Sequence, residues 1–121
     1  MSENPIAFET VLDLCRSRRR RVVLAVLDAE RRPLTVNDLR RTVLTSLHRT
    51  AVTDASDDVL TEIRLSLRHT HIPKLESAGV IEYDPERTLV RPTDRFDRLQ
   101  PQLSAVLDAD PELEGRIELR T

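Results

Sequence analysis

One stretch of the sequence decides the fold: His71-Ile72-Pro73-Lys74-Leu75-Glu76-Ser77-Ala78-Gly79-Val80-Ile81-Glu82-Tyr83-Asp84. A helical apolar pattern ends at Ala78-Gly79, and a short run of β type, residues 80–83, follows directly. The turn Asp84-Pro85-Glu86-Arg87 separates this run from a second extended run, Thr88-Leu89-Val90-Arg91. The stretch therefore predicts a helix that stops at a glycine and is followed by a two-stranded hairpin.

Three shorter helices are predicted before this stretch from apolar residues at helical spacing. The first covers residues 7–15, and Ser17 is a plausible N-cap for the second, although one continuous helix is an alternative. The third begins at Thr35-Val36-Asn37-Asp38, a capping box in which Asp replaces the usual Glu. Leu34-Thr35 is compatible with a short strand beside the hairpin.

A fourth, long helix is predicted from Asp57-Asp58 to Ala78, with Pro73 causing a kink or a break. After the hairpin a last helical stripe follows, and Pro101 either interrupts it or begins a new helix. The residues of this stripe are Phe96, Leu99, Leu103, Val106 and Leu107. The order of these elements predicts a mainly α fold with one small β-hairpin.

The composition is that of one globular domain. The chain has 121 residues, of which 39% are hydrophobic and 33% charged. The longest apolar run, residues 22–27, is far too short to span a membrane, and no signal peptide is recognised, so a cytoplasmic protein is expected. The single cysteine, Cys15, excludes an internal disulfide.

Nothing in the sequence points to catalysis, a cofactor or a metal. Two glycines, Gly79 and Gly115, cannot form a phosphate-binding loop. His69 and His71 point about 200° apart on a regular helix, so they cannot chelate one ion. We expect His71 to be a packed or hydrogen-bonded helix residue and Cys15 to be a buried thiol.

Several segments together resemble the ArsR-like winged helix-turn-helix family. The run His71-Ile72-Pro73-Lys74-Leu75-Glu76-Ser77-Ala78-Gly79-Val80 is similar to the end of the family's recognition helix and the start of its wing. Arg18-Arg19-Arg20-Arg21-Val22-Val23-Leu24 resembles the opening of its early core helix, and Pro33-Leu34-Thr35-Val36-Asn37-Asp38-Leu39 its second helix. Closer still is the resemblance to uncharacterised short winged-helix proteins of halophilic archaea, which share the His-Thr-His run and the Tyr-Asp-Pro turn.

The resemblance implies a transcriptional regulator that binds double-stranded DNA as a homodimer. It implies a winged helix-turn-helix at residues 17–92, an N-terminal packing or dimer helix at 1–16, and a dimerising C-terminal helix and tail at 93–121. Two features depart from the family's pattern: the link between residues 47 and 58 is long and acidic, and the wing tip, residues 84–86, is acidic. Phosphate would repel this tip, so either the wing stays off the DNA or its surface contacts a protein.

The candidate DNA contacts are polar or cationic residues of the third and fourth helices. Arginine can form two hydrogen bonds to guanine, whereas phosphate contacts position the protein without reading sequence. We expect base contacts from Arg64, Ser66, Arg68 and His69, and phosphate contacts from Arg40, Arg41 and Arg49. The alternative is that these residues form an ordinary solvated helix face.

Two further points stay open at this level. The four arginines 18–21 oppose the dipole of their helix and need an anion, which phosphate, Glu9, Asp13 or the acidic tail can supply; the resemblance favours a role in packing and interface structure. The apolar residues of the terminal helices exceed the obvious need of a small core, so we expect a homodimer through Phe8, Leu12, Phe96, Leu99, Leu103, Val106 and Leu107. The alternative to the dimer is a last helix that folds back on its own domain. The alternative to DNA binding is a protein-interaction module, which the net charge of −2 favours.

Overall fold

The structure, a computed structural model, describes residues 5–48 and 54–113. It is mainly helical, with a small antiparallel sheet of three strands, and this confirms the predicted fold class at that level. The helices are α1 (Pro5–Leu14), α2 (Arg18–Glu30), α3 (Val36–Val43), α4 (Asp57–Ser66), α5 (Ile72–Ser77) and α6 (Asp94–Asp108). The strands are β1 (Leu34–Thr35), β2 (Ile81–Asp84) and β3 (Leu89–Pro92).

The first two helices are separate. Ser17 has an extended backbone, and its hydroxyl accepts a hydrogen bond from the Arg20 backbone N–H, so it is the N-cap of α2 as predicted. Arg31 ends α2 in the left-handed region with φ 55°, and its N–H donates to the Leu27 carbonyl. The alternative of one continuous helix is therefore wrong.

The start of α3 joins the helices to the sheet. Thr35 and Asp38 form the predicted capping box, with the Thr35 hydroxyl 3.0 Å from the Asp38 N–H and the Asp38 carboxylate 3.1 Å from the Thr35 N–H. Directly before α3, β1 pairs with β3, which gives the strand order β1-β3-β2. The predicted short strand beside the hairpin is therefore confirmed.

The long helical segment departs from α-geometry just before Pro73. One π-helical turn, Leu67–His71, joins α4 to α5, and the Ile72 N–H donates to the Leu67 carbonyl five residues back. A proline in a regular helix would clash with the carbonyl four residues earlier, and the wider turn gives it space. The predicted irregularity is present, but the helical path continues through it.

The glycine stop and the hairpin follow as predicted, with shifted ends. Gly79 has φ 79° directly after α5. In the hairpin, Asp84 faces Leu89, and Thr88 has φ 50°, so Thr88 belongs to the turn and its assignment to a strand was wrong. The Asp84 carboxylate accepts hydrogen bonds from the Glu86 and Arg87 backbone N–H groups, which stabilises the first part of this turn.

The last helix packs against its own chain. In α6, Phe96, Leu99, Leu103 and Leu107 are all buried by contacts within the chain, where α6 contacts α1 and α2. The expectation that a second subunit covers these four residues is therefore wrong, because α1 and α2 already do so. Pro101 does not interrupt α6, which runs through it with the proline on the exposed side.

All helices and strands contribute to one hydrophobic core in the described part of the chain, including Val11 of α1 and Phe96 of α6. Ile63 and Leu67 are fully buried and anchor the long helical segment on this core. Among the described residues, no helix is both long and apolar enough to cross a membrane. The opposite side of the long segment is left exposed, and the candidate interface lies there.

Candidate nucleic-acid interface

Three predicted DNA contacts meet at one cavity between α3, the long helical segment and the hairpin. The cavity has a volume of about 200 Å³. Its lining residues are Val36, Asn37, Arg40, Arg64, Arg68 and Thr88. The structure therefore brings Arg40, Arg64 and Arg68 together although 28 residues separate the first from the last.

Rigid elements hold this cavity in shape. Arg64 and Arg68 lie one turn apart, and their neighbours Ile63 and Leu67 are fully buried, which fixes the position of the helix backbone. The Val36 N–H donates to the Thr88 carbonyl at 2.9 Å, which ties the hairpin turn to the first turn of α3. The side chains of the cavity are therefore presented from three elements that share one core.

The cavity is cationic. No carboxylate belongs to its lining, and among the described residues neither Arg64 nor Arg68 has an ion pair. Arg40 donates to the side-chain oxygen of Asn37, and its buried Nε has no hydrogen-bond partner within the described part of the chain. Three guanidinium groups without a carboxylate partner favour binding of an anion.

Arg41 differs from Arg40, its neighbour in sequence. Its Nη2 lies 2.9 Å from the Asp38 carboxylate, and it does not line the cavity. Burial works to raise the pKa of Asp38, but the Thr35 backbone N–H and the Arg41 guanidinium outweigh it, so this pKa is lowered. Arg41 is thus partly neutralised. Arg49 lies outside the described residues.

Ser66 and His69 are on another flank of the helix. They line a shallow depression together with Asp58, Thr61, Glu62, Leu65 and Thr70. His69 is exposed, and Ser66 is half-buried. Sequence reasoning placed Arg64, Ser66, Arg68 and His69 on a common surface, and the structure divides them into a cationic flank and a mixed, partly acidic flank.

Asn37, Thr88 and Leu65 lie on these surfaces and were not among the contact residues predicted from the sequence. Asn37 and Thr88 line the cavity only because α3 and the hairpin turn approach the long helix, and no local signal shows this. Leu65 is exposed, with 49% of its surface accessible. A signal for Leu65 existed, because it lies off the apolar stripe of Leu60, Ile63 and Leu67.

The four arginines at the start of α2 are bound within the chain. Arg18 contacts Glu112 at 2.8 Å, Arg19 makes two hydrogen bonds to Glu62 at 2.7 and 2.6 Å, and Arg21 contacts Asp110 at 2.7 Å. Arg20 is buried, and its Nε donates to the Leu14 carbonyl at 2.9 Å. Of the anions considered, the acidic tail is confirmed as the partner of Arg18 and Arg21.

His71 is a packed residue, as predicted. It is buried, and its Nδ1 lies 3.4 Å from Nη1 of Arg20. Burial, followed by the charges of Arg20 and Arg19, lowers the pKa of His71 to about 4. Cys15 is likewise buried, and burial raises the pKa of its thiol to about 11. Both side chains are therefore neutral at pH 7.

One family matches this chain: a domain of unknown function (DUF7344), over residues 12–91. The match covers about two thirds of the sequence, and the chain belongs to this family. It extends from within α1 to β3, so it includes every residue that lines the cationic cavity. Comparison with curated proteins and with solved structures gives no significant match.

Proposed function

We propose that this chain is a winged helix-turn-helix protein of the ArsR-like type that binds double-stranded DNA and regulates transcription in the cytoplasm. The order helix, strand, helix, helix, hairpin supports this fold, with α2, β1, α3, the long segment α4–α5 and the hairpin in that sequence. The strand order β1-β3-β2 supports it too, because β1 then pairs with β3, the second strand of the hairpin. The long segment is the recognition helix in this proposal.

The observation that carries the DNA proposal is the cationic cavity. Neutralisation of phosphates by basic side chains supplies much of the affinity in DNA binding. The chain's net charge of −2 does not indicate an overall basic surface that could do this. The cavity is a local cationic surface, since Arg40, Arg64 and Arg68 converge there without a carboxylate among the described lining residues. Arg64 and Arg68 read base edges, and Arg40 contacts a phosphate.

Homodimerisation is part of the proposal, through a smaller surface than the sequence indicated. Phe8 and Leu12 are one turn apart on α1, and they are 43% and 38% exposed. An apolar pair of this kind on a terminal helix fits a two-fold contact, which would place two recognition helices on one duplex. A monomeric mass at micromolar concentration in light scattering would contradict this part.

A second candidate is a winged-helix module that binds a protein instead of DNA. The hairpin tip supports it, because Pro85 and Glu86 are exposed and the turn carries two carboxylates. Asp58 on the exposed flank of α4 adds negative charge beside the recognition surface, whereas Glu62 next to it is already paired with Arg19. These carboxylates would repel phosphate but would attract a basic protein surface.

The experiment that separates the two candidates is fluorescence anisotropy across a salt series. The duplex upstream of the protein's own coding sequence is compared with a scrambled duplex of the same composition. We expect preferential binding that Arg64→Ala/Arg68→Ala abolishes, since each bidentate base contact contributes about 1–3 kcal/mol. Arg40→Ala should weaken both duplexes equally and reduce the salt slope by about 1.

The matched control is Arg16→Ala/Arg98→Ala, which removes the same charge from exposed positions outside the cavity. It should keep the preference. An equal loss in both double variants would mean that total charge, and not the cavity, governs binding. If the folded protein binds no duplex at any salt concentration, the protein-interaction candidate takes the place of the DNA proposal.

A further inference from the structure

Leu65 is an apolar side chain in an unusual place. In the described part of the chain, the exposed large hydrophobic residues are Phe8, Leu12 and Leu65, and Leu65 has the highest exposed fraction, 49%. Phe8 and Leu12 lie on α1, whereas Leu65 alone lies on the exposed side of the recognition helix. Single exposed leucines are common on protein surfaces, so the informative feature of Leu65 is its position next to Arg64 on the helix that lines the cationic cavity.

The surroundings of Leu65 define what it can contact. Successive residues of an α-helix are about 100° apart, so Leu65 is the next side chain around the exposed surface from Arg64. On its other side it borders the depression that His69, Thr61 and Glu62 also line. Leu65 therefore lies between a cationic flank and a depression lined by hydroxyl groups, an imidazole and two carboxylates, of which Glu62 is paired with Arg19.

This arrangement fits a base pair better than a protein surface. Protein interfaces bury a contiguous apolar or aromatic patch, whereas among the described residues Leu65 is the one apolar residue that lines the depression. In the major groove, thymine presents a single methyl group beside hydrogen-bonding base edges and between two phosphate backbones. One apolar side chain flanked by Arg64, Arg68 and polar residues is complementary to that pattern.

We propose that Leu65 is a specificity-determining residue that packs on the C5-methyl group of a thymine in the major groove. The inference rests on the proposed function, since it requires this helix to enter DNA. It adds what that function leaves open: the protein selects a thymine at the base pair next to the one that Arg64 contacts.

The test begins with in-vitro selection from a randomised duplex library, using wild-type protein. Each thymine of the selected duplex is then replaced singly by deoxyuridine, which removes the methyl group and keeps every hydrogen bond. We expect one replacement per half-site to weaken wild-type binding about fourfold, the effect of one methyl group leaving water. Leu65→Ala should bind the thymine and deoxyuridine duplexes equally.

Leu65→Met is the matched control, because it keeps an apolar side chain of similar volume and should retain the thymine preference. All three proteins should have the same thermal midpoint, since the residue is half exposed. If wild-type binding depends on Arg64 and Arg68 but no deoxyuridine replacement weakens it, this inference is overturned and the proposed function stands. If selection enriches no duplex and the folded protein binds none, both are overturned.

Discussion

Two groups of arginines in this protein have the same charge and opposite surroundings. At the start of α2, Arg18, Arg19 and Arg21 are paired with carboxylates and Arg20 is buried against backbone carbonyls. Around the cavity, Arg40, Arg64 and Arg68 face no carboxylate among the lining residues that the structure describes. The arginines that are consecutive in sequence therefore bind partners within the chain. The arginines that are scattered in sequence remain available to an external anion. Clustering in sequence is therefore a poor guide to which cations bind a partner.

The largest effect should come from the buried arginine. Arg20→Met removes the hydrogen bonds to the Leu14 and Asp13 carbonyls and the contact with His71. We expect a loss of about 2–4 kcal/mol in the free energy of unfolding, because buried carbonyls are left without donors. Urea unfolding followed by circular dichroism measures it. A loss below about 0.5 kcal/mol would show that Arg20 does not belong to the structural group, which is the set of arginines 18–21 at the start of α2.

Acid should destabilise the protein through His71. Its pKa in the folded state is lowered to about 4, compared with the ordinary value of 6.5 in the unfolded chain, so between these pH values the unfolded chain binds a proton that the folded chain does not bind. The contribution of neutral His71 to the free energy of unfolding is fully present above about pH 6.5. The free energy of unfolding should fall by on the order of 2–3 kcal/mol as the pH decreases to 4.

His71→Gln should flatten this part of the pH profile, as measured by the unfolding free energy at several pH values. His69→Gln is the matched control, since it changes an exposed imidazole in the same helical turn. The same fall with pH in the His71 variant as in the wild type would assign the acid sensitivity to other groups.

The ion pairs of the structural group should rank by burial. The Arg21 and Asp110 side chains are 21% and 12% exposed, whereas those of Arg18 and Glu112 are 56% and 52% exposed. Asp110→Asn should cost about 1 kcal/mol and Glu112→Gln less than about 0.5 kcal/mol. Equal costs in thermal unfolding would contradict the assumption that burial sets the contribution of each pair.

The smallest effect on stability should come from the cavity. Arg64→Ala/Arg68→Ala removes two exposed cations, which repel each other one turn apart, so the unfolding free energy should change by less than about 0.5 kcal/mol. The same variant should lose DNA preference. A destabilisation comparable to that of Arg20→Met would mean that Arg64 and Arg68 also stabilise the fold, so the two groups of arginines would not differ in role.

The sequence determined the features that depend on neighbours within one or two turns. The Ser17 cap, the Thr35 capping box, the glycine stop at Gly79 and the irregularity before Pro73 were all predicted in place. Each follows from a side chain and a backbone group a few residues apart, or from one residue's own dihedral restrictions. Such signals are complete in the local sequence.

Which charges and apolar faces meet depends on contacts between distant parts of the chain. The partners of Arg18, Arg19 and Arg21 lie 94, 43 and 89 residues away in sequence, so no local pattern could choose them. The apolar stripe of α6 gave the same signal for a dimer contact and for packing on α1 and α2, and the path of the chain selected packing. The cavity, too, exists only because packing on one core brings α3 and the hairpin turn beside the long helical segment.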